Sequence, residues 1–237
     1  MHLIDVKAGL LEPNDAIARE NREFLTAHGI YAVDIMSAPG SGKTSLLEWM
    51  LPILADRYRL AVIEGDIVGN ADKERLDGFG VPVHQINTGA ACHLDARMVH
   101  PALHRVVEQG AEVVLIENVG NLVCPAEFDL GENDVVMLLS VTEGHDKPKK
   151  YPLMFRRADL VAINKVDLLD RTNFDLPGAI AAVRDVHPGV AVLTTSCRTG
   201  EGIDDIVAWL EWRIEVKRAA SLHAPVGASP AGAGSST

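Results

Sequence analysis

Ser37-Ala38-Pro39-Gly40-Ser41-Gly42-Lys43-Thr44 is the stretch whose reading decides the fold. Tyr31-Ala32-Val33-Asp34-Ile35-Met36 before it has the character of a strand, with one acid inside. Ser45-Leu46-Leu47-Glu48-Trp49-Met50-Leu51 after it has the character of a helix. A strand, a glycine-rich turn, Gly-Lys-Thr and a helix form the context of a phosphate-binding P-loop. The glycines let backbone N–H groups point at phosphate oxygens, and the helix N-terminus adds partial positive charge. Gly40, Ser41, Gly42, Lys43, Thr44 and Ser45 are therefore candidate nucleotide contacts. Lys43 is expected to reach the β- and γ-phosphates, and the Thr44 hydroxyl to ligate Mg²⁺. Ser37 stands where such loops usually carry their first glycine, which an ordinary backbone angle there permits.

Outward from this loop, Arg59–Glu64 reads as a second strand and Val83–Asn87 as a shorter third. Glu112–Glu117, Asp134–Val141 and Asp159–Asn164 are near-continuous apolar runs, as expected of parallel strands buried on both faces. Val190–Thr194 is a further strand. Helical patterns lie between them, at 94–109, 179–186 and 203–217, with Pro52 and Pro101 expected to kink, end or split their helices. Asn14 and Asp15 are expected to cap a first helix ending near His28-Gly29. The alternation predicts an α/β P-loop NTPase fold with a mainly parallel sheet flanked by helices. The expected organisation is a flexible arm at 1–12, a GTPase domain at 13–217 and a disordered small-residue tail at 218–237.

Asn164-Lys165-Val166-Asp167 follows a buried strand and matches the Asn-Lys-x-Asp pattern of GTP-binding proteins. The Asp167 carboxylate can accept from guanine N1–H and the 2-amino group. Adenine offers neither, and would leave a buried carboxylate unpaired. Asn164 is expected at the far edge of the base, with the Lys165 stem over its face. Thr195-Ser196-Cys197-Arg198 resembles the Ser-Ala-Lys loop whose backbone N–H groups bond guanine O6. Ser196 and Cys197 are thus further candidate contacts to GTP or GDP.

Asp66 closes the second strand, and loops leaving C-terminal strand ends gather at the ligand in open parallel sheets. It is expected to hold Mg²⁺ or position the attacking water, with Asp72 a second candidate. Glu117-Asn118-Val119-Gly120 stands where other GTPases carry Asp-x-x-Gly. Gly120 is expected to offer its N–H to the γ-phosphate and to let its loop move on hydrolysis. Lys43, Asp66, Glu117 and Gly120 form the expected catalytic group. No glutamine occupies an obvious water-orienting position, so slow GTP hydrolysis is expected.

Cys92 and His93 follow the third strand, and Cys124 follows the fourth. Two thiolates and an imidazole suit Zn²⁺, and also Ni²⁺ in a planar arrangement. Free cysteines are also commonly buried as small apolar residues, and residue types alone leave both readings open. Three ligands leave a coordination position that water, or a second copy across a two-fold axis, could fill.

The net charge of −11 excludes the broad basic surface of a nucleic-acid binder. Three widely spaced cysteines do not form a disulfide framework. The first residues lack the pattern of a signal peptide, and no apolar stretch is long enough for a membrane span, so a cytoplasmic location is expected.

From about Leu11 to Trp212 the chain resembles the HypB family, GTPases that help insert nickel into nickel–iron hydrogenases. The resemblance rests on the 37–44 loop, Glu-Gly-Asp (64–66), Asn-Thr-Gly-x-x-Cys-His-Leu-Asp (87–95) and Glu-Asn-Val-Gly-Asn-Leu-Val-Cys-Pro (117–125). Thr-Glu-Gly-x-Asp-Lys-Pro-x-Lys-Tyr-Pro (142–152) and Asn-Lys-Val-Asp complete it. It implies a GTP-dependent homodimer with an interface metal site formed by Cys92, His93 and Cys124. It also implies a second nickel-binding accessory protein and the hydrogenase large subunit as partners. Some relatives carry an N-terminal cysteine motif or a long His-rich stretch. Here His2 is the only early candidate, which implies nickel transfer rather than storage. A urease-type (UreG-like) nickel GTPase is the nearest rival, but its Cys-Pro-His motif fits less well. A P-loop small-molecule kinase would show no guanine preference, and a third reading makes the metal a structural zinc.

Overall fold

The computed structural model describes residues 8–67 and 71–222. Residues 1–7 and 223–237, where most of the expected arm and tail fall, lie outside the described residues. Seven strands form one wholly parallel sheet: β1 (Tyr31–Ser37), β2 (Leu60–Asp66), β3 (Val83–Asn87), β4 (Val113–Glu117), β5 (Asp134–Ser140), β6 (Leu160–Asn164) and β7 (Ala191–Thr194). Their order across the sheet is β3-β2-β4-β1-β5-β6-β7. The helices are α1 (Ala8–Ala27), α2 (Lys43–Ala55), α3 (Ala71–Asp77), α4 (Ala96–Glu108), α5 (Lys147–Lys150), α6 (Pro152–Arg157), α7 (Leu176–Val186) and α8 (Ile203–Leu222).

Alternating side chains of the apolar strands supply both faces of the core. Val33, Ile35, Leu115 and Leu138 pack on one face with Leu47, Leu51 and Ile206 of α2 and α8. On the other, Ala32, Ile63 and Ile116 meet Leu25 of α1 and Leu103 of α4. Met137 and Ile163 of that same face meet Phe155 of α6 and Val183 of α7. With β1 flanked by β4 and β5, the P-loop emerges at the middle of the sheet.

Several boundaries differ from expectation. The first helix starts at Ala8 and runs through Pro13 rather than being capped at Asn14. Asn14 is used in tertiary contacts: Nδ2 donates to the Asp129 carbonyl at 2.9 Å and Oδ1 accepts from Ala96 N–H at 2.9 Å. Asn21, one face along, ties the same helix to the carbonyls of Ala96 and Leu130. Pro52 and Pro101 each lie inside a continuous helix, because the buried faces around them (Leu51 and Leu54, Ala102 and Leu103) hold the packing despite the missing donor. The last helix continues past Lys217 to Leu222.

Candidate functional site

The phosphate loop is built as its glycines require. Gly40 and Gly42 have φ of 72° and 106°, in the left-handed region that favours glycine, while Ser37 has no such angle. Gly42 is the N-cap of α2 and no side chain caps that end, which leaves the first-turn N–H groups available to an anion. Lys43 is 8% exposed, and its Nζ donates to Ser37 Oγ at 3.3 Å. Serine in the first position thus supplies an oxygen to the lysine. Ser41 Oγ donates to Glu143 Oε1 at 2.6 Å, and the same oxygen accepts from Ser140 N–H at 3.0 Å. The 142–152 segment therefore buttresses the loop through Glu143, a role that sequence reasoning did not assign.

A cavity of about 410 Å³ opens beside this loop, lined by Gly42, Ser45, Asn164, Lys165, Asp167 and Cys197 among others. Lys165 has φ 65°, a strained angle for a residue with a side chain, and its Nζ donates to the Gly40 carbonyl at 2.6 Å. Asp167 accepts from Ser196 Oγ at 2.6 Å. Asn164 lines the same cavity, and its side chain joins three loops. Nδ2 donates to the Ser41 carbonyl at 2.8 Å, and Oδ1 accepts from Lys165 N–H at 2.7 Å and Cys197 N–H at 3.1 Å. Ser45 Oγ accepts from Arg75 Nη2 at 3.0 Å, a neighbour that sequence reasoning missed.

The acidic group lies between β2, β4 and α2. Thr44 Oγ1 donates to Glu117 Oε1 at 2.8 Å. Glu64 stands opposite Glu117 in the β2–β4 register and is equally buried, at 2% and 4% exposed. Sequence reasoning passed over Glu64 as a strand end; an acid closing an apolar strand was the signal available. The remaining oxygen of each, Glu64 Oε2 and Glu117 Oε2, is buried without a partner. Orphaned carboxylate oxygens beside a threonine hydroxyl fit a hard divalent cation such as Mg²⁺. Asp66 Oδ1 accepts from Ile67 N–H at 2.7 Å, and Asp72 pairs with Arg75 at 3.1 Å. Both lie at the margin of the pair.

Burial pushes both glutamic acids up to about 7, Glu64 further raised by Glu117 and Glu117 partly offset by Lys43. The ionised forms are thus disfavoured in the metal-free fold, a contribution to stability present below the ordinary carboxylate range and lost as pH rises through about 7. A bound cation would reverse the preference, so Mg²⁺·GTP binding is expected to release protons. Its affinity is expected to rise by up to about tenfold per proton per pH unit below pH 7, then flatten. Glu117→Gln is expected to weaken binding and remove much of this slope, as titration calorimetry in buffers of differing ionisation heat would read.

The soft-ligand residues come together. Cys92 and Cys124 are free, and the thiols touch with Sγ atoms 3.1 Å apart. A ligand atom of His93 lies within 4.8 Å of both. The His93 ring stacks on Phe128 at 3.9 Å, its Nδ1 is buried without a partner, and burial lowers its pKa. An imidazole held toward its neutral form, with an unpartnered ring nitrogen, and two convergent sulfurs fit a borderline or soft divalent metal. Hydrogen bonding to Cys92, with burial, holds the Cys124 thiol above its ordinary pKa, so metal binding here is expected to release protons.

Fold and loops define a P-loop nucleotide-binding protein, and a family model described as the CobW/HypB/UreG nucleotide-binding domain matches residues 32–194. Hydrogenase maturation factor HypB of Azotobacter vinelandii is 49% identical over 209 residues, covering 88% of this chain and 69% of that protein. The probable hydrogenase maturation factor HypB of Methanocaldococcus jannaschii is 40% identical over 221 residues, covering 92% and 100%. The crystal structure of HypB from Helicobacter pylori in complex with nickel matches with a TM-score of 0.82 at 38% identity, over 87% of this chain and 97% of that one. The chain belongs to the HypB family of hydrogenase maturation factors. Among the described residues no helix is long and apolar enough to cross a membrane.

Proposed function

We propose that this protein is a slow, Mg²⁺-dependent GTPase that carries nickel to a nickel–iron hydrogenase, with nucleotide state controlling the metal. The observation that carries this reading is the meeting of Cys92 and Cys124, 3.1 Å apart, the latter on the loop whose Gly120 rests against Pro39 of the phosphate loop. Asp167 selects guanine, and Lys43 and the first-turn N–H groups of α2 bind the phosphates. Thr44, Glu117 and Glu64 hold Mg²⁺, with Asp66 and Asp72 nearby; the ion neutralises charge developing on the phosphates. Gly120 senses the γ-phosphate. Cys92, His93 and Cys124 bind nickel as cargo, and zinc is the competing occupant of the same donors.

Three protein ligands leave a position that a second copy can complete, so the active form in this reading is a homodimer. A nickel-binding accessory protein and the hydrogenase large subunit are its partners. The nickel-bound relative and the HypB family as a whole support this reading.

The test compares Ni²⁺ affinity and oligomeric state with GDP and with a non-hydrolysable GTP analogue. A difference of about 5–150-fold in affinity is the expected size of such coupling. Equal affinities would remove nucleotide control. ATP competing as well as GTP would instead favour the small-molecule kinase.

A further inference from the structure

Asn118 is 1% exposed and has no part in the phosphate, base or metal contacts described above. Its side chain is bonded in three directions. Nδ2 donates to Asp34 Oδ2 at 2.9 Å, in the middle of β1. Oδ1 accepts from Leu94 N–H at 3.1 Å, the residue after His93, and from Val119 N–H at 2.9 Å. Its own N–H donates to the Ile35 carbonyl at 3.1 Å.

Asn121 makes a second bridge three residues on. Nδ2 donates to the Cys92 carbonyl at 3.3 Å, and Oδ1 accepts from Val123 N–H at 2.8 Å, the residue before Cys124. One side chain therefore spans the backbones that carry the two thiols. Gly120 lies between these two asparagines and rests on the phosphate loop. A Cβ at Gly120 would stand 2.9 Å from Pro39 Cα and 3.4 Å from Lys43 Nζ.

We propose that Asn118 and Asn121 are positioning residues that transmit nucleotide state from Gly120 to Cys92, His93 and Cys124. The proposal rests on the linked-site reading above and names its carriers. The Asn118 bonds are buried and directional, and breaking one strands a polar group away from water, while those of Asn121 are part-buried and exposed. Movement of Gly120 is therefore shared by Leu94 N–H on one side and the Cys92 carbonyl on the other. Asp34 is the fixed point. Burial pushes its carboxyl up to about 8, so at neutral pH it accepts from Asn118 without an uncompensated charge. The sheet holds one end of Asn118 while its Oδ1 joins the backbones at Leu94 and Val119.

The test uses the full chain and Ni²⁺ alone, with affinity read in the GDP state and with a non-hydrolysable GTP analogue. Wild type, Asn118→Ala, Asn121→Ala and Asn121→Asp are compared, with GTP affinity measured alongside. The expected result is a wild-type ratio between states of about 5–150-fold that collapses to within about twofold of unity in both alanine variants. GTP affinity is expected to stay within about threefold of wild type, since neither side chain is bonded to the 37–44 phosphate loop or to the base-binding loops. Asn121→Asp, which keeps the acceptor for Val123 N–H, is expected to retain part of the ratio. A purely structural role would weaken Ni²⁺ equally in both states and leave the ratio intact, which overturns the proposal. A wild-type ratio of unity would overturn the linked-site reading and this proposal together. A normal wild-type ratio preserved in the variants would overturn this proposal alone. If Asn118→Ala fails to fold, the half-buried Asn121 decides the matter.

Discussion

Replacing Asp167 with asparagine is expected to lower GTP affinity by about 10²–10³-fold and to make xanthosine triphosphate the better ligand. Asp167 is held at the cavity wall by the Ser196 hydroxyl at 2.6 Å, and its side chain is only 13% exposed. A carboxylate there can accept from both guanine N1–H and the 2-amino group. Asparagine presents one acceptor and one donor, so its amide faces the guanine amino group, donor against donor. An unmatched buried polar group costs about 1–3 kcal/mol, and more when a charge was involved. Xanthine carries an oxygen at position 2, which the new amide can bond. Competition against a fluorescent nucleotide reads the exchange directly. Unchanged GTP affinity in the variant would remove Asp167 from base recognition.

The other large effect is expected at the thiols. Cys92→Ala and Cys124→Ala are each expected to weaken Ni²⁺ by more than about 10²-fold, the upper range for losing only an outer-shell partner. Each substitution removes a sulfur from a three-residue set that offers one ligand atom apiece. Both thiols are partly exposed on loops that follow β3 and β4, so thermal stability of the metal-free chain is expected to change little. Chelator competition, with the thiolate-to-nickel absorption band as a second reading, measures the loss. Parent-like Ni²⁺ binding in both variants would place the cargo elsewhere in the chain.

Much of this protein is legible from local patterns. The apolar runs at 112–117, 134–141 and 159–164 proved to hold strands (113–117, 134–140 and 160–164) buried on both faces, because a parallel sheet between two helical layers leaves no wet side. The 37–44 segment is equally local, since its left-handed glycines and the helix start that follows depend on neighbours in the chain. Asn14 shows where such reasoning stops. Its sequence context favours a helix cap, yet bonds to Asp129 and Ala96 draw it into the interior of a longer helix. Asn164 is a similar case: its type and position are readable, but its use as a clamp among three loops is not.

The sequence by itself determined the α/β class, the phosphate loop and the residue types of the base and metal sites. These depend on spacings of a few residues, over which backbone preference and side-chain chemistry act directly. Only the tertiary structure decided that Glu64 stands beside Glu117, that Glu143 braces Ser41, and that asparagines tie the thiol loops to the glycine loop. β3 and β4, which lead into the two thiol loops, are not neighbours but are separated by β2. The meeting of Cys92 and Cys124 is therefore set by the lateral order of strands and the path of loops across their ends, which the long-range packing of the core selects and no local pattern encodes.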